Sequence, residues 1–285
     1  MAIENLELVR AKVERRLREI VDRSRGAMGL AVLDLTSGMR MGVNDHLVFP
    51  QASAIKIPVL MEVCKQAIEG KFSLGDLRKI EAGDKTGGSG VLFELGDGTV
   101  QMSIHDLCVL MIMVSDNTAT NMLIDLVGME RVNGTLDSLG LTKTRLQRRM
   151  LDTGASLRGQ ENLSTPVEAL RIMEMLYKGE FINREACDEI LSILKKGKST
   201  ELGSGLPEGL VVASKPGRIA GVTTEWAIVL LKDRPYCVAV MENYGMEPDA
   251  VTAMKEISRT LYEYFLRLSR ATAHGIYAMP QPPAG

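Results

Sequence analysis

The sequence predicts an α/β chain of the α+β type: an antiparallel sheet flanked by helices, beside an all-α lobe. Three observations predict it. Apolar strand-like runs lie near the start (residues 27–34 and 39–43) and again late (residues 211–213, 226–231 and 236–241), so one sheet has to gather strands from both ends of the chain. The stretch between them carries helical spacing almost throughout. The 285 residues are 45% hydrophobic and 25% charged, the balance of an ordinary globular chain with enough apolar surface for a core. One domain spanning 1–285 is expected, with an α/β lobe at about 1–50 and 205–270 and a helical lobe at about 51–204. A functional site is expected in the cleft between the lobes.

In order along the chain, residues 1–22 are charged and amphipathic, with Leu6, Val9, Val13, Leu17, Ile20 and Val21 on one stripe, which reads as a surface helix. Thr36-Ser37-Gly38 then splits two apolar runs into a hairpin. Residues 55–68 carry Ile57, Leu60, Met61, Cys64 and Ile68 at helical spacing, closed by Glu69-Gly70-Lys71. Six glycines between 83 and 98 mark a loop. Residues 103–127 are apolar and periodic but broken at Ser115-Asp116-Asn117, so two helices meeting there are expected. Thr165-Pro166 opens another helix, threonine as cap and proline at the first helical position, and residues 183–194 make one more. The late strands are read with turns at Pro216-Gly217 and at 232–235, followed by a helix over 249–268 and a frayed tail over 271–285, rich in proline and glycine from Met279.

Net charge is −2 with both signs intermingled, which offers no broad basic surface and argues against nucleic acid and membrane partners. A small-molecule substrate is the expected partner; oligomeric state is not readable. Cys64, Cys108, Cys187 and Cys237 are scattered in apolar runs and read as reduced core residues, while His46, His105 and His274 show no ligand spacing. No metal and no cofactor are expected. With no leader-like apolar segment at its start, the sequence as it stands reads as cytoplasmic, or secreted or periplasmic if a leader was removed.

Three clusters carry possible chemistry. In Ser53-Ala54-Ile55-Lys56, three-residue helical spacing sets the amine on the face of the hydroxyl, and a serine nucleophile needs such a base. Taken alone, the same four residues also fit a capping serine and a solvated lysine. Ser115-Asp116-Asn117 fits a helix end as well as a proton-relaying hydroxyl beside a carbonyl-binding amide. Lys215-Pro216-Gly217 follows a strand, and fits either a turn or a cation beside a glycine that permits close backbone approach.

Together, in this order and context, the three clusters resemble the SxxK, SDN and KTG signature of class A β-lactamases and, more widely, penicillin-recognising serine hydrolases. The resemblance runs over roughly residues 30–244 and is densest in FPQASAIKIPVL (49–60) and SIHDLCVLMIMVSDNTATNMLIDLVG (103–128). It implies a β-lactamase/transpeptidase-like fold, with Ser53 as acylated nucleophile, Lys56 as activating base and Ser115 as proton relay. It further implies that Asn117, Lys215 and Gly217 face the substrate and that the backbone N–H groups of Ser53 and Arg218 form the oxyanion hole.

The sequence departs from the family at three points. Met150 stands where the deacylating glutamate is expected, leaving Asp152 or Glu161 as substitutes. Pro216 replaces the hydroxyl residue of KTG. Glu225 falls near where an arginine often meets the substrate carboxylate, where it would repel an anion, and Arg218 is the candidate replacement cation. The expected activity is therefore slow or atypical β-lactam hydrolysis through an acyl-enzyme. The alternatives are a carboxylesterase or D-amino-acid peptidase, or a binding or sensor protein acylated at Ser53 without turnover.

Overall fold

The computed structural model describes residues 2–277. After helix α1 (Ala2–Arg23), strands β1 (Ala27–Asp34) and β2 (Arg40–Val43) form the hairpin. A two-residue β3 (Phe49–Pro50) leads through a 3₁₀ turn, Ala52–Ile55, into α2 (Lys56–Ile68). The short β4 (Leu77–Lys79) and β5 (Gln101–Ser103) pair and bracket the glycine-rich loop. The chain continues with α3 (Ile104–Met113), α4 (Asn117–Val127), α5 (Met129–Ser138) and α6 (Thr153–Leu157). Next is β6 (Leu163–Ser164), which pairs with β3, then α7 (Pro166–Lys178) and α8 (Arg184–Leu194). Strands β7 (Val212–Ile219), β8 (Val222–Val229) and β9 (Tyr236–Asn243) follow, and α9 (Glu247–Arg270) packs on α1.

The main sheet is antiparallel in the order β2-β1-β9-β8-β7, so the last strands complete a sheet begun by the first hairpin. Alternation along β9 shows why both faces are apolar. Cys237, Ala239 and Met241 enter a core shared with α2, α7 and α8, while Tyr236, Val238 and Val240 enter a second core beneath α1 and α9. Two-sided burial explains the near-continuous hydrophobic runs of β8 and β9. The four cysteines are free and buried. Among the described helices none is long and apolar enough to cross a membrane.

The threonine cap read from the sequence is in place, Thr165 accepting from the Glu168 amide at 3.2 Å; Asn183 also caps its helix, accepting from Ala186 at 2.8 Å, and Asp116 caps α4, accepting from Ala119 at 2.9 Å. One reading is corrected. Pro216-Gly217 is not a turn but the middle of β7, paired with Glu225 and Thr224, and the reversal falls at Ala220-Gly221, where Gly221 takes φ +76°. Proline fits because β7 is an edge strand, where one side of the ladder needs no donor. Of the predicted tail, Ala271 and Tyr277 form an antiparallel bridge, and residues 278–285 lie outside the described residues.

Candidate active site

Ser53 is half-buried in the 3₁₀ turn, and the α-helix itself starts at Lys56. Side chains three apart eclipse in a 3₁₀ turn, so Ser53 and Lys56 share one face more closely than α-helical spacing gives. Ala52, immediately before the serine, takes φ +45°, and Ser115 takes φ +56°. Both are left-handed conformations unfavourable for residues with a Cβ, and they stand at the two hydroxyl-bearing corners of the site.

The turn is held by Gln51. Its backbone oxygen accepts from Thr224 Oγ1 at 3.0 Å and its Oε1 from Trp226 Nε1 at 2.9 Å, while its Nε2 donates to Phe49 O at 2.8 Å. Gly217 completes this contact: a Cβ there would lie 2.5 Å from Gln51 O and 2.7 Å from Ala54 N. The glycine thus lets β7 close on the serine's own turn, whereas the sequence suggested only close approach to a substrate.

Lys56 is wholly buried, and its Nζ donates to Ser115 O at 2.8 Å, Ser115 Oγ at 2.9 Å and Asn117 Oδ1 at 3.0 Å. Burial, then the nearby charge of Lys215, push its pKa well below the ordinary lysine value, with Asp116 opposing. A neutral amine has two donors and a lone pair. Ser115 O and Asn117 Oδ1 take the donors, and the Ser115 hydroxyl can turn to donate into the lone pair. The arrangement therefore accommodates the amine with or without its extra proton, as a group that accepts and returns one requires.

The tripeptide is anchored from the glycine-rich loop. Asp116 Oδ2 accepts from the Val91 and Leu92 amides at 2.7 and 2.9 Å, Asn117 Nδ2 donates to Gly87 O at 3.0 Å, and Asn117 N donates to Ser89 O at 2.9 Å. These bonds fix the Asn117 amide with its oxygen toward Lys56. Lys215 is 2% exposed and its Nζ donates to Pro216 O at 2.7 Å; burial and Lys198 bring its pKa down to about 7 against Glu225 and Glu201.

The remaining sequence candidates have other engagements. Arg218 is half-exposed and paired to Glu247 at 2.6 Å and Glu201 at 3.4 Å, so its charge is already committed. Asp152 caps α6, accepting from Ala155 N at 2.9 Å, and Glu161 pairs with Arg148 at 2.9 Å. Both carboxylates hold the loop closed, which explains them without a role in water activation. Met150 is buried, and its backbone N–H and C=O are both held by the Asn121 side chain, at 2.8 and 3.2 Å. Glu225 does not face the substrate as an anion-repelling group: it is wholly buried, and its Oε2 accepts from Leu202 N at 3.0 Å.

Gln51 and Asn121 are the positioning residues that sequence reasoning passed over. For Asn121, one turn beyond Asn117 on the same helix, helical spacing was the available signal. Gln51 had none, because its partners lie 173 and 175 residues away.

Residues 12–265 match the profile of the Beta-lactamase enzyme family. The chain is 26% identical over 243 residues to Beta-lactamase OXY-2 of Klebsiella oxytoca, covering 83% of this chain and 82% of that one. A β-lactamase crystal structure from Sphaerobacter thermophilus superposes with TM-score 0.82 at 31% identity, over 88% of this chain and 96% of the other. A structure of PBP-A superposes equally well at 26% identity, over 90% and 96%, and a single-residue mutant of PBP-A has been solved as an acyl-enzyme complex with penicillin-G.

Proposed function

The chain belongs to the β-lactamase enzyme family and is a serine hydrolase, and we propose that it opens β-lactam amides through an ester on Ser53 that is released slowly. The observation that carries this reading is the buried Lys56 amine bonded to both Ser115 Oγ and Asn117 Oδ1. The Ser53 oxygen forms its bond to the substrate carbonyl carbon as its proton passes to neutral Lys56. The resulting oxyanion is held by the Ser53 and Arg218 backbone N–H groups, the first in the turn on which Gly217 packs and the second one residue beyond Gly217. The ring C–N bond then breaks. Its nitrogen takes a proton from Ser115, which Lys56 replenishes, returning the amine to its starting state. Asn117 and Lys215 orient the bound acyl donor.

Release needs a base for water, and Met150 supplies a thioether at the place expected for one. That supports slow turnover, and it is also what favours the reading of a stably acylated sensor. The engagement of Arg218 with Glu247 and Glu201 favours a different second reading, hydrolysis of esters or D-amino-acid peptides that carry no carboxylate needing a clamp.

One experiment separates them. The protein is mixed with a chromogenic cephalosporin and, separately, with p-nitrophenyl acetate, and its intact mass is followed. A mass increase with slow cephalosporin turnover is expected; turnover of the ester alone supports the second reading, and a permanent adduct the sensor. A signal that survives Ser53→Ala defeats all three.

A further inference from the structure

Leu151 is a third residue of the site, after Ala52 and Ser115, held in a left-handed backbone, with φ +59°. The other two shape the nucleophile's turn and carry the relay hydroxyl, whereas the mechanism gives Leu151 no task. A leucine gains nothing locally from this conformation, so its surroundings must impose it. The Asn121 side chain holds both backbone groups of the preceding Met150, at 2.8 and 3.2 Å, and Leu151 O accepts from Thr153 N at 2.8 Å.

The side chain fixed in this way is 51% exposed. One exposed leucine is ordinary on a protein surface, but the place of this one is not. Its Cδ1 and the Asn117 Nδ2 converge on Gly88: a Cβ built there would lie 3.2 Å from the first and 3.0 Å from the second. Gly88 is itself left-handed, at φ +82°, and its lack of a side chain leaves the leucine methyl and the Asn117 amide as near neighbours. That amide gives one Nδ2 hydrogen to Gly87 O at 3.0 Å, and its other hydrogen has no partner among the described residues.

We propose that Leu151 is a specificity-determining residue: an apolar wall beside the Asn117 amide that favours acyl donors whose side-chain amide carries an apolar group, such as a benzyl group, over donors with a small or polar one. The inference rests on the acyl-transfer reading of the site, in its β-lactam or its ester form, and adds which acyl group is preferred. A side-chain carbonyl that accepts the free Asn117 hydrogen sets the group beyond it beside the leucine methyls. An apolar group removes both surfaces from water, whereas a hydroxyl or a charge there loses hydration with no partner in return.

The test compares second-order acylation constants for penicillins with phenylacetyl and acetyl side chains, and for the p-nitrophenyl esters of N-phenylacetylglycine and N-acetylglycine. Within each pair only the phenyl ring differs, so the ratio isolates the contact. The wild-type chain should favour the phenylacetyl member by about tenfold. Asparagine tolerates a left-handed backbone and glycine adopts it freely, so Leu151→Asn and Leu151→Gly should both melt near wild type, and either one provides the reading if the other does not fold. In each, the preference should fall to near parity. A preference within about twofold of wild type in a folded variant overturns the proposal. That outcome includes a variant slowed equally toward both members, as a purely structural role requires, and one altered only in the decay of its acyl-enzyme. A wild-type chain that acylates but shows no preference overturns it as well, whereas failure of the proposed function would appear separately, as a wild-type chain that acylates with none of the compounds.

Discussion

Gly217→Ala tests whether the close approach of β7 to the nucleophile's turn matters to chemistry. The added methyl carbon would stand 2.5 Å from Gln51 O, 2.7 Å from Ala54 N and 2.7 Å from Thr224 Oγ1, where ordinary contact begins at 3.4 Å. Two of the three obstacles are backbone, so relief requires the strand and the turn to part by about 0.9 Å, with an overpacking cost of about 1–3 kcal/mol. A separation near 1 Å between reacting groups lowers rate by about 10²-fold, equivalent to about 2.7 kcal/mol of barrier. The assay is stopped-flow acylation with a fluorescent penicillin, alongside calorimetric melting. The matched control is Gly134→Ala in α5, where an added Cβ meets nothing within 4 Å and helix propensity favours alanine by about 0.5–1 kcal/mol. Gly217→Ala should acylate about a hundredfold more slowly and melt lower, with Gly134→Ala unchanged or slightly more stable. Wild-type acylation and melting in Gly217→Ala would refute the argument that the oxyanion-binding strand is seated by this glycine.

Three further outcomes are expected. Met150→Glu places a carboxylate on a backbone already clamped by Asn121 and should shorten the acyl-enzyme lifetime by up to about 10²–10⁴-fold, read as decay of the mass adduct; an unchanged lifetime would count against the loop alignment. Acylation should level off at a pH well below the ordinary lysine value of 10.5 instead of climbing toward it, because the depressed Lys56 pKa leaves the amine neutral early. Lys56 and Lys215 also bind fewer protons folded than unfolded up to about the free-lysine value of 10.5, so their contribution makes the urea midpoint rise with pH above about 7; a continued climb in rate, or a falling midpoint traced to these lysines by substitution, would contradict the shifts. Trp226→Phe strands the buried Gln51 Oε1 and should cost about 1–3 kcal/mol in urea unfolding while slowing acylation, whereas slower acylation at full stability would place the tryptophan's role elsewhere.

The fold was legible where local chemistry and tertiary role agree. Thr165-Pro166 and Asn183 announce helix starts that the structure keeps, and the hydrophobic runs of β1 and β9 need two buried faces whatever their partners. Legibility failed where a residue's usual habit is overridden at a distance. Pro216-Gly217 has turn-like chemistry, but an edge position tolerates the proline and contact with Gln51 demands the glycine. Helix α5 was passed over because Gly134 and a polar face dilute its periodicity, though Val132 and Leu136 are buried. Of the site, the Lys56–Ser115–Asn117 constellation was foreseen as two separated motifs. The direction in which Glu225 points, and the commitment of Arg218, Asp152 and Glu161 elsewhere, depend on partners from other segments that spacing does not encode.

The Gln51 bridge has a consequence for how the molecule comes apart. By sequence the serine's turn belongs with α2, yet its hydrogen bonds run to the central strands, so opening that turn means disrupting β8. Amide deuterium uptake at Ala54 should therefore keep pace with the slowest-exchanging strand amides rather than with the outer helices, and a protease nick in the glycine-rich loop should leave the reactive serine attached to a still-folded sheet.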